Sequence, residues 1–108
     1  MERHFRELTE RFGYDVPIPE RMLNRAAYAM LQKGETVAAV AACQRNATTY
    51  PRSANCHDSL GEALMAADEV AAAVAAFTRA CELADEAGDA RLPAFREHLE
   101  NARGRLRR

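Results

Sequence analysis

The chain has 108 residues, room for one domain with one modest core and no second. A formal net charge of -1 gives no electrostatic reason to expect nucleic acid or an anionic membrane as partner, and 48% hydrophobic with 29% charged residues is a folding composition, not a disordered one. No apolar run approaches the roughly 20 residues that span a bilayer, and the charged start MERHFRELTER lacks the apolar stretch of a signal peptide, so a cytoplasmic location is expected.

Helix is the expected element throughout, because alanine dominates residues 26–87 and loses no side-chain entropy on ordering. A first helix is predicted over about 2–12, with Phe5, Leu8 and Phe12 on one face and Gly13 as its stop. The extended stretch YDVPIP follows, and residues 1–16 make an N-terminal helix and linker ahead of a unit over 17–108. Pro19 suits the first turn of a second helix that runs to about Lys33 and ends at Gly34. A third helix occupies about 36–49 and stops before Pro51. Ser53 is the N-cap expected of a fourth that reaches about Ala67, and Asp68 is expected to open a fifth that runs to Gly88. The sixth begins after Asp89 and ends in an arginine-rich tail.

Shifting the chain by 34 residues against itself superposes small or apolar residues: Ala27 on Gly61, Met30 on Leu64, Ala39 on Ala73, Cys43 on Phe77. The words His57-x2-Leu60-Gly61-x2-Leu64 and Ala73-x3-Phe77, with Leu23-x2-Ala26-Ala27-x2-Met30, Ala39-x3-Cys43 and Pro51 in the preceding unit, resemble the tetratricopeptide repeat. His57 stands at that repeat's aromatic position and Asp85 at its terminal proline. The resemblance implies an all-α fold, a TPR-like helix-turn-helix solenoid of two repeats, about 20–53 and 54–87, with flanking capping helices. Small residues at 27, 61, 39 and 73 let paired helices approach while Leu60, Leu64 and Phe77 fill the space beside them.

Residues 57–61 read HDSLG, which contains the residue types of a hydrolytic triad. On one helix, neighbours point about 100° apart and cannot converge on a substrate, and no Gly-x-Ser-x-Gly elbow occurs. His4, His57 and His98 are far apart in sequence with no i, i+4 pair, and Cys43, Cys56 and Cys81 show no C-x-x-C spacing. No catalytic residue, metal ligand or cofactor is therefore expected. Arg103, Arg105, Arg107 and Arg108 suit a helix C-terminus through the dipole and need no RNA partner.

The stretches FGYDVPIPE (12–20), Leu23-Asn24, Asn46, Tyr50-Pro51, Ser53-Ala54-Asn55 and DSLGEA (58–63) further resemble the repeat tail at the C-terminus of bacterial α/β-hydrolases of the esterase D type and of some serine β-lactamase-like hydrolases. This likeness covers about residues 4–85. It implies a non-catalytic module whose hydrolase nucleophile lies upstream. Its partner would be a hydrolase catalytic domain, or, for a free-standing adaptor, a peptide or partner protein.

In repeats of this type the first helix of each pair lines a groove, which here would carry Arg21, Asn24, Arg25, Tyr28, Asn55, Asp58, Glu62 and Arg96. A clamp for chaperone tails resembles Lys followed four residues later by Asn, and this chain has Asn24 with Tyr28 and Asp58 with Glu62 instead. Two uses of the charges stay open: Arg21 and Arg25 pair with Asp58 and Glu62 across the repeats, or all four recognise a mixed-charge peptide. On the opposite side, Val37, Ala38, Ala41 and Ala42 in one repeat and Ala71, Ala72, Ala75 and Ala76 in the next are expected to face outward. Such an apolar stripe can serve either helix propensity or contact, including a homodimer.

Overall fold

The computed structural model describes residues 20–108 and, from Arg25 onward, their side chains. The helix expected over 2–12, the linker after it, and the side chains of Arg21 and Asn24 lie outside the described residues. Five helices follow one another: α1 (Glu20–Gln32), α2 (Thr36–Thr49), α3 (Ala54–Ala66), α4 (Val70–Ala87) and α5 (Leu92–Arg107), with no strand among the described residues. The all-α expectation holds.

The three left-handed residues of the described chain punctuate these helices in one way. Gly34 (φ 81°), Asp68 (φ 65°) and Gly88 (φ 65°) each follow a helix, and each carries the same pair of hydrogen bonds. The following N–H reaches back five residues, Glu35 to the Met30 carbonyl at 2.8 Å, Glu69 to Leu64 at 2.8 Å and Asp89 to Ala84 at 2.9 Å. The left-handed residue itself donates three residues back, Gly34 to Leu31, Asp68 to Met65 and Gly88 to Asp85. Together these bonds satisfy carbonyls that a helix end leaves without partners.

Asp68 thus closes α3 and does not open α4; the N-cap position of α4 belongs to Glu69, whose side chain makes no capping bond. Ser53 does cap α3 as expected, its Oγ accepting from the Cys56 N–H at 3.3 Å. At the start of α5, Asp89 Oδ1 accepts from the Arg91 N–H at 2.9 Å, and the Arg91 guanidinium lies over the Phe95 ring, 5.4 Å from its centroid.

Packing follows the chain, each helix against the next, but the alternate helices behave differently on the two sides. α1 touches α3 and α3 touches α5, whereas α2 and α4 do not meet. The layer therefore closes toward α1, α3 and α5. One core cluster joins Ala27, Ala39, Cys43, Leu60, Leu64, Ala73, Phe77 and Leu99; a second holds Ala54, Ala80, Leu83, Ala84 and Phe95. Positions 34 apart are buried alike: Ala39 and Ala73 are both 0% exposed, Cys43 and Phe77 both 2%. In α5, Phe95, Leu99 and Ala102 are buried, so the last helix covers the end of the second pair.

Of the outward stripe, Val37, Ala38, Ala41, Ala71, Ala72 and Ala75 are exposed, Val37 to 82%. Ala42 is half-buried against the core and Ala76 is buried at 8%, which corrects the expectation for these two. The reason is helical period: residues 73, 76, 77, 80, 83 and 84 form one inward stripe, and 76 falls on it beside 73 and 77.

Candidate functional site

The inner layer brings four polar side chains from three helices into one line. Tyr28 on α1 and Glu62 on α3 occupy positions separated by 34 residues, and the Tyr28 hydroxyl donates to Glu62 Oε1 at 2.5 Å. One turn before Glu62 stands Asp58, only 5% exposed. Its Oδ1 accepts from Nδ1 of His98, on α5, at 2.8 Å. Oε2 of Glu62 lies 3.8 Å from the same nitrogen, so both carboxylates of α3 converge on one imidazole. The His98 ring also meets Phe77 of α4, with centroids 5.8 Å apart and planes at 53°.

Beside this line lies an open depression of about 190 Å³, lined by Glu62, Met65, Phe77, His98 and Asn101. Its shallowness suits a surface contact or an ion more than an enclosed organic ligand.

Charge is arranged so that the Asp58–His98 pair retains its proton. Burial raises the Asp58 pKa above the ordinary carboxylate value; His98 opposes this, and the charge of Glu62 adds to it. For His98, burial disfavours the imidazolium, but the Asp58 hydrogen bond and the charges of Asp58, Glu62 and Glu97 outweigh it and raise the pKa. Burial also raises the Tyr28 phenol, with Glu62 contributing, so Tyr28 stays a donor.

The HDS trio points three ways. His57 Nε2 bonds the Pro51 carbonyl at 3.0 Å and ties α3 to the loop before it. Asp58 meets His98, and Ser59 is buried at 4% exposure. Among the other expected groove residues, Arg25 and Arg96 are exposed and Asn55 is half-buried. Both uses of the charges stay open; among the described residues Asp58 meets His98 and Glu62 meets Tyr28.

His98 is the member that sequence reasoning missed. Its partner on α3 is 40 residues away, and no local spacing joins them. Asp58, Glu62 and His98 also bring three potential ligand atoms within 4.8 Å of one another, a convergence that no local spacing in the sequence shows. The thiols are elsewhere: Cys43 and Cys56 are buried, burial pushing Cys43 up to about 11, and Cys81 is half-buried.

Compared with known proteins, the chain matches no family model, and no curated protein or solved structure is significantly similar to it.

Proposed function

We propose that the chain is a non-catalytic protein–protein interaction module of the tetratricopeptide type, presenting the α1, α3 and α5 face to a peptide or partner protein. One observation carries the reading. The helix-turn-helix hinge recurs with an offset of 34 residues, left-handed residue and backbone hydrogen bonds included, at Gly34 and Asp68. A repeat of that length and turn stacks its first helices side by side into one rigid face, the feature such modules use to hold extended ligands. Tyr28, Asn55, Glu62 and His98 supply donors and acceptors on that face.

The resemblance of 4–85 to the hydrolase repeat tail makes a hydrolase catalytic domain the partner of first choice, and a free-standing adaptor the alternative. Titrating the chain against displayed peptides and against an isolated esterase catalytic domain tests both. Binding that weakens at least tenfold in Tyr28→Ala supports the face; a chain that selects no peptide and no domain removes the proposal. Ester hydrolysis that disappears in Ser59→Ala without loss of helicity would overturn the non-catalytic reading.

A second reading rests on the exposure of Val37 with Ala38, Ala41, Ala71, Ala72 and Ala75: self-association through the α2 and α4 side, giving a two-fold homodimer.

A further inference from the structure

We propose that Asp58, Glu62 and His98 form a binding site for a zinc-like divalent transition-metal ion, held by Nδ1 of His98 and one oxygen from each carboxylate. This site is independent of the repeat-module reading. With a neutral imidazole the three groups carry two negative charges, and one of them, on Asp58, is almost wholly removed from water. Such an arrangement calls for a cation between the groups. A proton on His98 supplies one charge; a divalent ion supplies two.

Geometry favours the ion. A tetrahedral zinc ion with bonds of about 2.0–2.1 Å sets its ligand atoms about 3.3 Å apart. Here the Nδ1 to Asp58 Oδ1 and Nδ1 to Glu62 Oε2 separations are 2.8 and 3.8 Å, one shorter and one longer than that spacing. The two carboxylate oxygens lie within 4.8 Å of one another, so side-chain torsions that move the His98 pairs by about half an ångström and draw the carboxylates together by up to about 1.5 Å convert the hydrogen-bonded set into a coordinating one. Asp58 and Glu62 sit one turn apart on α3, and His98 stands on a separate packed helix, so the ligands are held by rigid elements.

Tyr28 donates to Oε1 of Glu62 and leaves Oε2 toward the imidazole, the outer hydrogen bond that commonly orients a metal-binding carboxylate. The depression beside Glu62 and His98 gives an entry path and space for water as the fourth ligand. One imidazole with two carboxylates suits zinc and its first-row neighbours; calcium takes six to eight oxygens, which this set does not offer.

The test uses the full chain stripped with chelator and titrated with Co²⁺ alone and Zn²⁺ alone. One equivalent should bind, with visible cobalt bands of a low-coordinate nitrogen–oxygen site and no thiolate charge-transfer band. Affinity should fall at least tenfold in His98→Gln and in Glu62→Gln, and stay unchanged in Cys81→Ser. Glu62 is only half-buried and Gln preserves its shape, so Glu62→Gln decides the matter if His98→Gln loses helicity by circular dichroism. No saturable binding, undiminished binding in Glu62→Gln, or a thiolate band would each overturn the site.

Discussion

The ring of Phe77 fills the place that a β-carbon on Gly61 would take: such a carbon would lie 2.5 Å from Cε1 and 2.6 Å from Cδ1 of that ring. Non-bonded contacts to a β-carbon essentially never come that close, and Phe77, 2% exposed, has little room to withdraw. Gly61→Ala should therefore cost about 1–3 kcal/mol, and Gly61→Leu at least as much. In the first repeat the equivalent residues are Ala27 and Cys43, so Gly61→Ala combined with Phe77→Cys should cost less than the two changes summed. Urea denaturation of the four chains checks this; an unchanged midpoint in Gly61→Ala would refute the packing argument.

Gly34 and Asp68 share a left-handed backbone but differ in residue type, which makes Gly34 a position for separating conformation from contact. A β-carbon at Gly34 would meet nothing within 4 Å, so Gly34→Ala isolates the conformational cost, about 1 kcal/mol. Gly34→Asp or Gly34→Asn should cost less, because those side chains bond locally in this conformation. Thermal melting of the three variants ranks them.

Much of this was legible in the sequence, and the exceptions have physical reasons. α2 runs over the expected 36–49, and the stops at Gly34 and Gly88 and the Ser53 cap were visible because each depends on one residue type in a local context. Asp68 misled because aspartate serves both N-caps and left-handed turns. The 34-residue register, which puts it opposite Gly34, carries the information that its type does not. Ala76 misled because a run of alanines has no hydrophobic contrast from which to place the edge of the buried stripe. His98 was invisible for a different reason: its contacts with Asp58, Glu62 and Phe77 exist only once α5 has docked.

The metal-free chain should lose stability as pH rises through neutrality. His98 has a folded pKa above its unfolded value, so its stabilisation is complete below about 6.5, the ordinary histidine value, and is lost as pH climbs through the raised one. Asp58, also raised, acts in the same direction at lower pH, since the folded chain takes up its proton first. The groups facing His98 are Asp58 and Glu62 from α3 and the Phe77 ring from α4, with Glu97 on its own helix. His98→Gln should flatten the melting temperature between pH 6 and pH 8; an unaltered slope would remove His98 as the titrating group.

Phe95 anchors α5 in the smaller core cluster at 3% exposure. Phe95→Ala should cost about 3–5 kcal/mol, and truncation after Gly88, which uncovers Leu83 and Ala84, should lower the melting temperature or cause aggregation. A truncated chain as stable as the full one would show that α5 is not a cap.

Ala41 and Ala75 are exposed on α2 and α4, so a glutamate at each is accommodated without disturbing the core. If the outer side mediates self-association, Ala41→Glu with Ala75→Glu yields a folded monomer, while the unmodified chain sediments faster as concentration rises. A chain that stays monomeric at high concentration removes the homodimer.

α4 has 18 residues where α2 has 14, an overhang of about 6 Å at a rise of 1.5 Å per residue. α4 starts 34 residues after α2, at Val70 against Thr36, whereas α5 starts 38 after α3, at Leu92 against Ala54. This has a consequence for modular engineering. A duplicated unit spliced in between α2 and α3 would meet helices of matching length, and the array could be lengthened there. Added after α4, the same unit would arrive a full turn out of step and leave the overhang of α4 bare.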